Sequence, residues 1–391
     1  MADFIPYTKH DITPADIEAV INVLKNHPLT QGPKAEEFEH ALSDAHNVSY
    51  ATVTSSGTSA LHLAYAALGL GPQDVLVTTP ISFCATSNAA LYCGAQVVFS
   101  DIDPETWNLS AQALEKTLQS LSEQKKNVKI VVAVHLGGLL CEIDKLAEVT
   151  KKYFPHAHLV EDSSHAIGIL GVCSPYSSAA VLSLHPAKHV AVGEGGAVLT
   201  RDKVLHERCQ ILRSHGITKD SSQFRYPEQS GPWYHEMQFL GWNYRLSDIA
   251  CGLGLSQLSR LKDSLQKRKE CVDFYSESLQ KKDWIQIQKT NNAHAYHLCM
   301  VRIKYKTLGF TRTVLMESLK ARGIGTQVHY IPTYKMPYYK DVLKQSQTSC
   351  PEAESYYAEA LSLPMYASLK KEQIQTVLHA LFDICKTRAC T

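Results

Sequence analysis

The chain has 391 residues, of which 45% are hydrophobic, and its 39 Lys and Arg residues balance 38 Asp and Glu residues. This length and apolar content predict two folded domains, while the even charge argues against nucleic-acid and anionic-membrane partners. No apolar run approaches the roughly 20 residues that a membrane-spanning helix needs. Eleven scattered cysteines predict reduced, mostly buried thiols, and residues 1–6 do not resemble a signal peptide, so we expect a cytoplasmic protein.

The first two thirds of the chain alternate between helical and strand patterns. Apolar residues recur at helical spacing in 15–25, behind the capping pair Thr13-Pro14, and again in 59–68. Short apolar runs typical of buried strands occupy 74–79, 96–101, 128–134, 158–162 and 179–184. This alternation predicts an α/β domain whose largely parallel sheet is covered by helices on both faces.

The pattern changes near residue 245. Helices are predicted at 247–261, 261–279, 312–322 and 370–388, with a strand-like segment at 295–303. We therefore predict a large α/β domain at 1–250 and a smaller α+β domain at 251–391. A polar segment at 221–233 contains glycine and two prolines and is predicted to be a functional loop.

A candidate anion site lies at residues 55–59, Ser-Ser-Gly-Thr-Ser, where a helix is predicted to begin. Gly57 permits close approach of a ligand, the neighbouring hydroxyls can donate, and the first N–H groups of a helix attract phosphate. A capped helix start explains the same residues, so this segment alone does not identify a ligand.

Two further polar residues follow predicted strands. Asp162 ends one strand, where α/β sheets place their ligands, and alternation sends the competing acid Glu161 to the opposite side. Lys188 lies between an apolar strand and the glycine-rich turn 193–196. A buried acid that keeps a pyridine nitrogen protonated and a lysine amine that acts as nucleophile and base are what a pyridoxal phosphate (PLP) site needs. A helix cap and a surface lysine are the ordinary alternatives.

Other signals are weaker. Ser183 offers a hydroxyl for a phosphate, and Phe83 offers a ring for stacking, although a core phenylalanine is an equal reading. The histidine pairs His156/His158 and His294/His297 have no second ligand pair, so we expect surface or loop histidines and no metal site. Neither a P-loop nor a G-x-G-x-x-G motif after a strand is found.

Taken together, these segments resemble the DegT/DnrJ/StrS family of PLP-dependent sugar-nucleotide aminotransferases. The matching stretches cover nearly the whole chain and lie at 29–33, 56–63, 80–86, 161–166, 183–188, 193–196, 212–216, 241–245 and 328–332. The resemblance implies the aspartate aminotransferase-like fold (PLP-dependent transferase fold type I), with a large mixed-sheet domain, a smaller α+β domain and an N-terminal arm, residues 1–34, on the substrate side. It also implies PLP as the cofactor.

The resemblance assigns roles to individual residues. Lys188 and Asp162 match the catalytic pair that holds the cofactor and its ring nitrogen. The residues that match cofactor contacts are Gly57, Thr58, Ser59, Phe83, Asp162, His165, Ser183, Lys188 and Asn243. Asn243 matches a residue that reaches the phosphate of the neighbouring subunit, so a homodimer with shared sites is implied. Tyr7, Arg245, His329 and Tyr330 match substrate-binding stretches.

The implied reaction moves an amino group from L-glutamate to a nucleotide-linked keto-sugar. Residues 233–250 and His185-Pro186 are similar to family members that aminate C4 of a UDP-linked 4-keto-6-deoxy-N-acetyl-hexosamine. GDP-4-keto-6-deoxymannose, UDP-4-keto-arabinose, a different PLP reaction such as dehydration, and a non-catalytic protein of the same fold are the alternatives. Tyr334 stands where many relatives have histidine in a substrate-facing stretch, which leaves the sugar open. Arg213 and Arg245 are candidates for the donor carboxylates.

Overall fold

A seven-stranded sheet forms the centre of the larger part of the computed structural model, which describes residues 4–226, 231–291, 293–345 and 348–389. The strand order is β1-β7-β6-β5-β4-β2-β3, with β7 antiparallel to both neighbours and the other adjacent pairs parallel. The strands are β1 (Tyr50–Thr54), β2 (Asp74–Thr78), β3 (Gln96–Phe99), β4 (Asn127–Val134), β5 (His158–Asp162), β6 (Ala179–Ser183) and β7 (Gly196–Thr200). All five strands expected from the sequence are present.

Helices cover both faces of this sheet because successive strand residues point to opposite sides. In β4, Ile130 and Val132 pack with α3 and α4, whereas Val131 packs with α5 and α6. The helices are α1 (Pro14–Asn26), α2 (Pro33–His46), α3 (Gly57–Ala67), α4 (Ala85–Tyr92), α5 (Ala111–Glu123), α6 (Ile143–Tyr153), α7 (Lys203–Arg213) and α8 (Asp248–Ser259). The predicted cap of the first helix is confirmed, since Thr13 and Asp16 form a reciprocal capping box.

A second, smaller sheet is antiparallel, in the order β10-β11-β12. Its core includes side chains of the helices α9, α11 and α13. Strands β8 (Ile217–Thr218) and β9 (Glu236–Met237) pair with each other in a separate two-stranded sheet. The remaining elements are α9 (Leu261–Leu279), β10 (Ile285–Ile287), β11 (Cys299–Ile303), α10 (Tyr305–Leu308), α11 (Arg312–Ala321), α12 (Pro351–Glu359), β12 (Ala360–Leu363) and α13 (Lys371–Ala389). We call the part that contains the small sheet and these three helices the small lobe.

Helix α8 packs on α1 and α2 rather than on the small lobe. Its buried Asp248 accepts hydrogen bonds from the N–H groups of Gly32 and Lys34, at 3.0 Å each. The domain boundary predicted at residue 250 would fall inside α8, whose side chains pack on the larger part of the molecule. The boundary therefore stays a prediction. In the loop predicted at 221–233, residues 221–226 and 231–233 contain neither strand nor α-helix, and 227–230 lie outside the described residues.

The start of the chain is hydrogen-bonded to the small lobe. The N–H of Ile5 donates to the carbonyl of Gly323 at 2.8 Å, the N–H of Gly325 donates to the carbonyl of Ile5 at 2.8 Å, and that of Met365 donates to the carbonyl of Tyr7 at 2.9 Å. This short strand-like segment carries Tyr7 to the cleft between the two sheets.

The ten cysteines among the described residues are free thiols, and all but Cys84 and Cys93 are buried. The prediction of reduced, mostly buried thiols agrees with the structure for those ten cysteines. A membrane-spanning helix is not found in the part of the chain that the structure describes.

Candidate active site

A cavity of about 650 Å³ opens where three parallel strands end. Val134, Asp162 and Ser183, the last residues of β4, β5 and β6, all line it, as expected for a ligand site of an α/β sheet. The small lobe and the N-terminal segment form the opposite wall. The structure brings ten of the predicted site residues to this cavity, namely Tyr7, Gly57, Thr58, Phe83, Asp162, His165, Ser183, Lys188, His329 and Tyr330.

The beginning of helix α3 forms one end of the cavity. Ser56 caps the helix, because its hydroxyl accepts the N–H of Ser59 at 3.0 Å and the Ser59 hydroxyl accepts the N–H of Ser56 at 2.9 Å. A Cβ at Gly57 would lie 3.0 Å from the Cβ of Ser183, so glycine lets the helix start approach the Ser183 hydroxyl closely. Within the described residues the N–H groups of Gly57 and Thr58 have no acceptor, and they lie at the positive end of the helix.

This corner fits a phosphate group, as the sequence indicated. Ser59 does not line the cavity, and its hydroxyl is occupied by the capping box. The contact with the cofactor expected for Ser59 is therefore not supported by its position. The side chain instead holds the helix start in place.

Asp162 is a buried carboxylate held by two donors. The Thr86 hydroxyl donates to Oδ2 at 2.7 Å, and the N–H of Ser164 donates to Oδ1 at 3.1 Å. Thr86 comes from the first turn of α4, and sequence reasoning did not single it out, although it lies within the matching stretch 80–86. Two donors leave this carboxylate fixed in orientation and still able to accept another hydrogen bond in the cavity.

Glu161 lies on the other side of β5, as strand alternation predicted. Its carboxylate is fully buried and accepts hydrogen bonds from the N–H groups of Cys173 at 3.0 Å and Ser174 at 2.7 Å, and it lies 2.9 Å from Nε2 of His135. Nδ1 of His135 accepts the N–H of Cys141 at 3.0 Å, so Nε2 carries the proton and donates to Glu161. Glu161 thus anchors a loop under the sheet and does not line the cavity.

We expect Glu161→Ala to destabilise the protein by about 3–5 kcal/mol, because it leaves several buried donors without an acceptor. Chemical denaturation monitored by circular dichroism measures this loss. Glu161→Gln is the matched control, since it keeps the shape and one acceptor oxygen and should lose less stability. An alanine variant as stable as the native protein would contradict the anchoring role.

Lys188 lies half-buried in the loop between β6 and β7, with Nζ 3.4 Å from Nε2 of His297. The pKa of the Lys188 amine is lowered to about 8, mainly by burial; Asp162 opposes this shift and Arg268 adds to it. A lowered pKa increases the uncharged fraction of the amine near neutral pH, which is the form that acts as a nucleophile or base.

Histidines surround this amine. Nδ1 of His165 accepts the N–H of Gly137 at 3.2 Å, so its Nε2 donates to the Tyr330 hydroxyl at 3.1 Å. The His165 and His297 rings lie 4.4 Å apart between centroids. His294 and His297 lie in the loop between β10 and β11, as one of the two expected alternatives has it, but both are buried rather than on the surface. The apolar, strand-like sequence that follows them was the available signal.

Four candidates lie elsewhere. Asn243 is exposed and does not line the cavity. Arg245 and Arg213 line a separate cavity of about 540 Å³, where Nη1 of Arg213 lies 2.5 Å from the Glu39 carboxylate. Tyr334 is buried and donates to Glu354 at 2.8 Å, although Ile331 and Met336 of the same stretch line the active-site cavity.

The cavity wall also contains polar residues to which sequence reasoning assigned no role. They include His185, Glu194, Gln327 and His297. Among the described residues that line the cavity, Lys188 is the only lysine or arginine. In the same part of the chain, no group of three histidine, cysteine or acidic residues is arranged to hold a metal ion.

Comparison with known proteins places this site in a family. The model of the DegT/DnrJ/EryC1/StrS aminotransferase family matches residues 10–382. The chain belongs to this family. It is 37% identical over 388 residues to the UDP-4-amino-4,6-dideoxy-N-acetyl-beta-L-altrosamine transaminase of Campylobacter jejuni subsp. jejuni (serotype O:2), with 97% of each chain covered.

Solved structures agree with this membership in the DegT/DnrJ/EryC1/StrS family. Helicobacter pylori PseC, described as an aminotransferase involved in the biosynthesis of pseudoaminic acid, superposes with a TM-score of 0.88 at 30% identity, covering 98% of this chain and 100% of PseC. The PLP form of Spr1654, a putative sugar aminotransferase from Streptococcus pneumoniae, gives a TM-score of 0.85 at 25% identity, covering 98% and 99%. The predicted fold and cofactor are confirmed, and the protein is a PLP-dependent sugar aminotransferase.

Proposed function

We propose that this enzyme transfers the amino group of L-glutamate to C4 of a UDP-linked 4-keto-6-deoxy-N-acetyl-hexosamine. The observation that carries the reaction class is the meeting of the Lys188 amine, the Asp162 carboxylate and the free N–H groups of α3 in one cavity. The choice of sugar rests on the identity of 37% to the Campylobacter altrosamine transaminase over nearly the full length of both proteins.

Different cavity residues would hold different parts of PLP. We assign the phosphate to the N–H groups of Gly57 and Thr58 with the Ser183 hydroxyl, and the ring face to Phe83, which is 60% exposed on the cavity wall. Asp162 would keep a proton on the ring nitrogen. When bound, PLP supplies an electron-withdrawing ring that takes up the negative charge left when a proton departs from the amino-bearing carbon.

Lys188 has two tasks in this proposal. Its amine would hold the cofactor covalently at rest and, when released, would move protons. Nζ accepts the proton from Cα of L-glutamate in the first half-reaction and donates a proton to C4 of the sugar in the second. Proton transfer by a positioned base typically contributes about 10²–10⁴-fold to the rate. The lowered pKa of Lys188 suits an amine that alternates between the two protonation states.

We also propose a homodimer in which each cavity is completed by the partner. L-glutamate has two carboxylates and a nucleotide sugar has a diphosphate, and such groups are usually bound by arginine or lysine. Among the described residues, Lys188 alone of these residue types lines the cavity, whereas the exposed Asn243 and the half-buried Arg245 lie outside it. A second subunit could supply the missing cationic side chains.

We further infer a cytoplasmic location, which the ten free thiols of the described residues support.

An absorbance titration of the purified enzyme tests the proposed reaction. We expect a visible band from the lysine-bound cofactor that is replaced by a shorter-wavelength band when L-glutamate is added, with 2-oxoglutarate released in equal amount. Adding the UDP-linked 4-keto-6-deoxy-N-acetyl-hexosamine should restore the visible band and yield its 4-amino product.

The controls separate the parts of this proposal. L-alanine in place of L-glutamate tests the donor, and GDP-4-keto-6-deoxymannose or UDP-4-keto-arabinose tests the acceptor. Restoration of the band by one of those sugars alone would replace the proposed acceptor. A visible band that ignores every amino donor would reject transamination and favour a different PLP reaction.

A further inference from the structure

A buried arginine near the active-site lysine has no carboxylate partner among the described residues. Arg268, in helix α9, is 3% exposed, and its Nη1 donates to the carbonyl of His297 at 3.3 Å. Among the described residues it has no ion-pair partner, and its Nε has no hydrogen-bond acceptor. A buried charge without a partner is costly, so a site that keeps one needs a reason beyond packing.

His297 lies between this arginine and the lysine. Its N–H donates to the carbonyl of Gly137 at 2.9 Å, and its ring lies 4.4 Å from that of His165 and 5.4 Å from that of His189. These contacts fix the ring so that Nε2 lies 3.4 Å from Nζ of Lys188. Nδ1 has no partner within the described residues.

The charges around the Lys188 amine oppose one another. Asp162, from β5, favours the ammonium form, and Arg268, from α9, disfavours it. Burial and the charge of Lys188 lower the pKa values of His165 and His297 well below the usual range, and burial with the charge of Arg268 does the same for His189. These imidazoles are therefore neutral near pH 7, as is His329, whose pKa burial and Lys188 lower to about 3. Arg268 thus opposes the effect of Asp162 on the amine, and Glu194 is a second acid on the cavity wall.

We propose that Arg268 is a positioning residue that works together with His297 to keep the released amine of Lys188 uncharged and correctly oriented. Arg268 supplies the charge, and His297 supplies the contact at Nζ. Without Arg268, the Asp162 carboxylate would favour the ammonium form of the amine, which cannot accept a proton. The inference rests on the proposed role of Lys188 as the base.

The charge on Lys188 can be measured directly in the full-length protein after the cofactor has been removed. Acetic anhydride labels only uncharged amines, and peptide mass spectrometry gives the extent at Lys188 across a pH series. We expect a midpoint near pH 8 in the native protein. In Arg268→Met we expect the midpoint to rise by about one unit, which lowers the reactive fraction at pH 7 roughly tenfold. Arg268→Lys keeps the charge and should keep the native midpoint.

A second readout uses the enzyme with its cofactor. The acid limb of the pH profile for the L-glutamate half-reaction should move upward in Arg268→Met and stay in place in Arg268→Lys. Thermal unfolding checks that both variants fold, and methionine fills a similar volume. Equal midpoints in all three proteins, or equal shifts in both variants, would overturn the inference, because the charge would then have no effect on the amine.

The contact is tested separately by His297→Phe. The phenyl ring preserves the packing on His165 but cannot bond to Nζ, so the glutamate half-reaction should slow about tenfold with an unchanged KM for L-glutamate. His294→Phe is the matched control, because His294 is also buried but does not line the cavity. Equal rates in the two variants would reject the contact. The labelling experiment requires no keto-sugar. If the midpoint shifts in Arg268→Met but the native enzyme does not transaminate, the proposed function is rejected while the inference about Arg268 stands.

Discussion

Lys188→Ala is expected to lower kcat for transamination by roughly 10⁴-fold, because it removes both the covalent attachment and the base. The variant should also lose the visible band of the lysine-bound cofactor. Stopped-flow absorbance of the L-glutamate half-reaction measures the rate, and equilibrium dialysis measures the PLP that remains bound through the corner at Gly57 and Ser183.

A surface lysine provides the control for this substitution. Lys289 forms an ion pair with Glu105 at 2.9 Å on the protein surface, and Lys289→Ala should leave both kcat and the visible band unchanged. If Lys188→Ala kept the band and a tenth or more of the native turnover, the assignment of Lys188 would be wrong. Loss of the visible band in Lys188→Arg would also agree with the assignment of Lys188.

Asp162→Ala should lower kcat by about 10²–10³-fold, similar to removing one group from a preorganised electrostatic site. The substitution also leaves the Thr86 hydroxyl without its acceptor at 2.7 Å. The free N–H groups of α3 remain, so the variant should still bind part of its PLP. Absorbance gives the bound fraction, and single-turnover kinetics with L-glutamate give the rate.

Asp162→Asn keeps the shape and the acceptor for Thr86 but loses the charge, so it should lose nearly as much turnover as the alanine variant. Glu161→Gln changes the neighbouring acid, which lies outside the cavity, and should keep its turnover. Near-normal turnover in Asp162→Ala would show that another group protonates the ring. A loss of turnover on changing Asp162, with none on changing Glu161, would confirm that strand alternation in β5 places only Asp162 in the cavity.

Features that depend on local pattern could be predicted from the sequence. The strands at 74–78 and 158–162 are short apolar runs, and Asp162 follows from alternation within one of them. Strands β1 and β7 were not predicted. β7 directly follows a run of glycines, and it forms because it pairs with both β1 and β6. Gly196 is needed there, since a Cβ at that position would lie 2.4 Å from the carbonyl oxygen of Ser56.

The active site was predictable only in part, for a related reason. Lys188 stands out through its flanking sequence, but its contact with His297 spans 109 residues, and that of Thr86 with Asp162 spans 76. No local pattern encodes such pairs. Tyr334 shows the converse, since it lies close to cavity residues in sequence while its side chain turns into the core.

The attachment of residues 5 to 7 to the small lobe has a consequence for the order of folding. Ile5 pairs with the backbone of Gly323 and Gly325, and the Tyr7 carbonyl accepts from Met365. Residues 5 to 7 therefore cannot reach their final place until the chain has been translated past residue 365. Contacts of such large sequence separation form slowly. During translation the large sheet can assemble well before Tyr7 reaches the cavity, so the wall that contains Tyr7 is completed last.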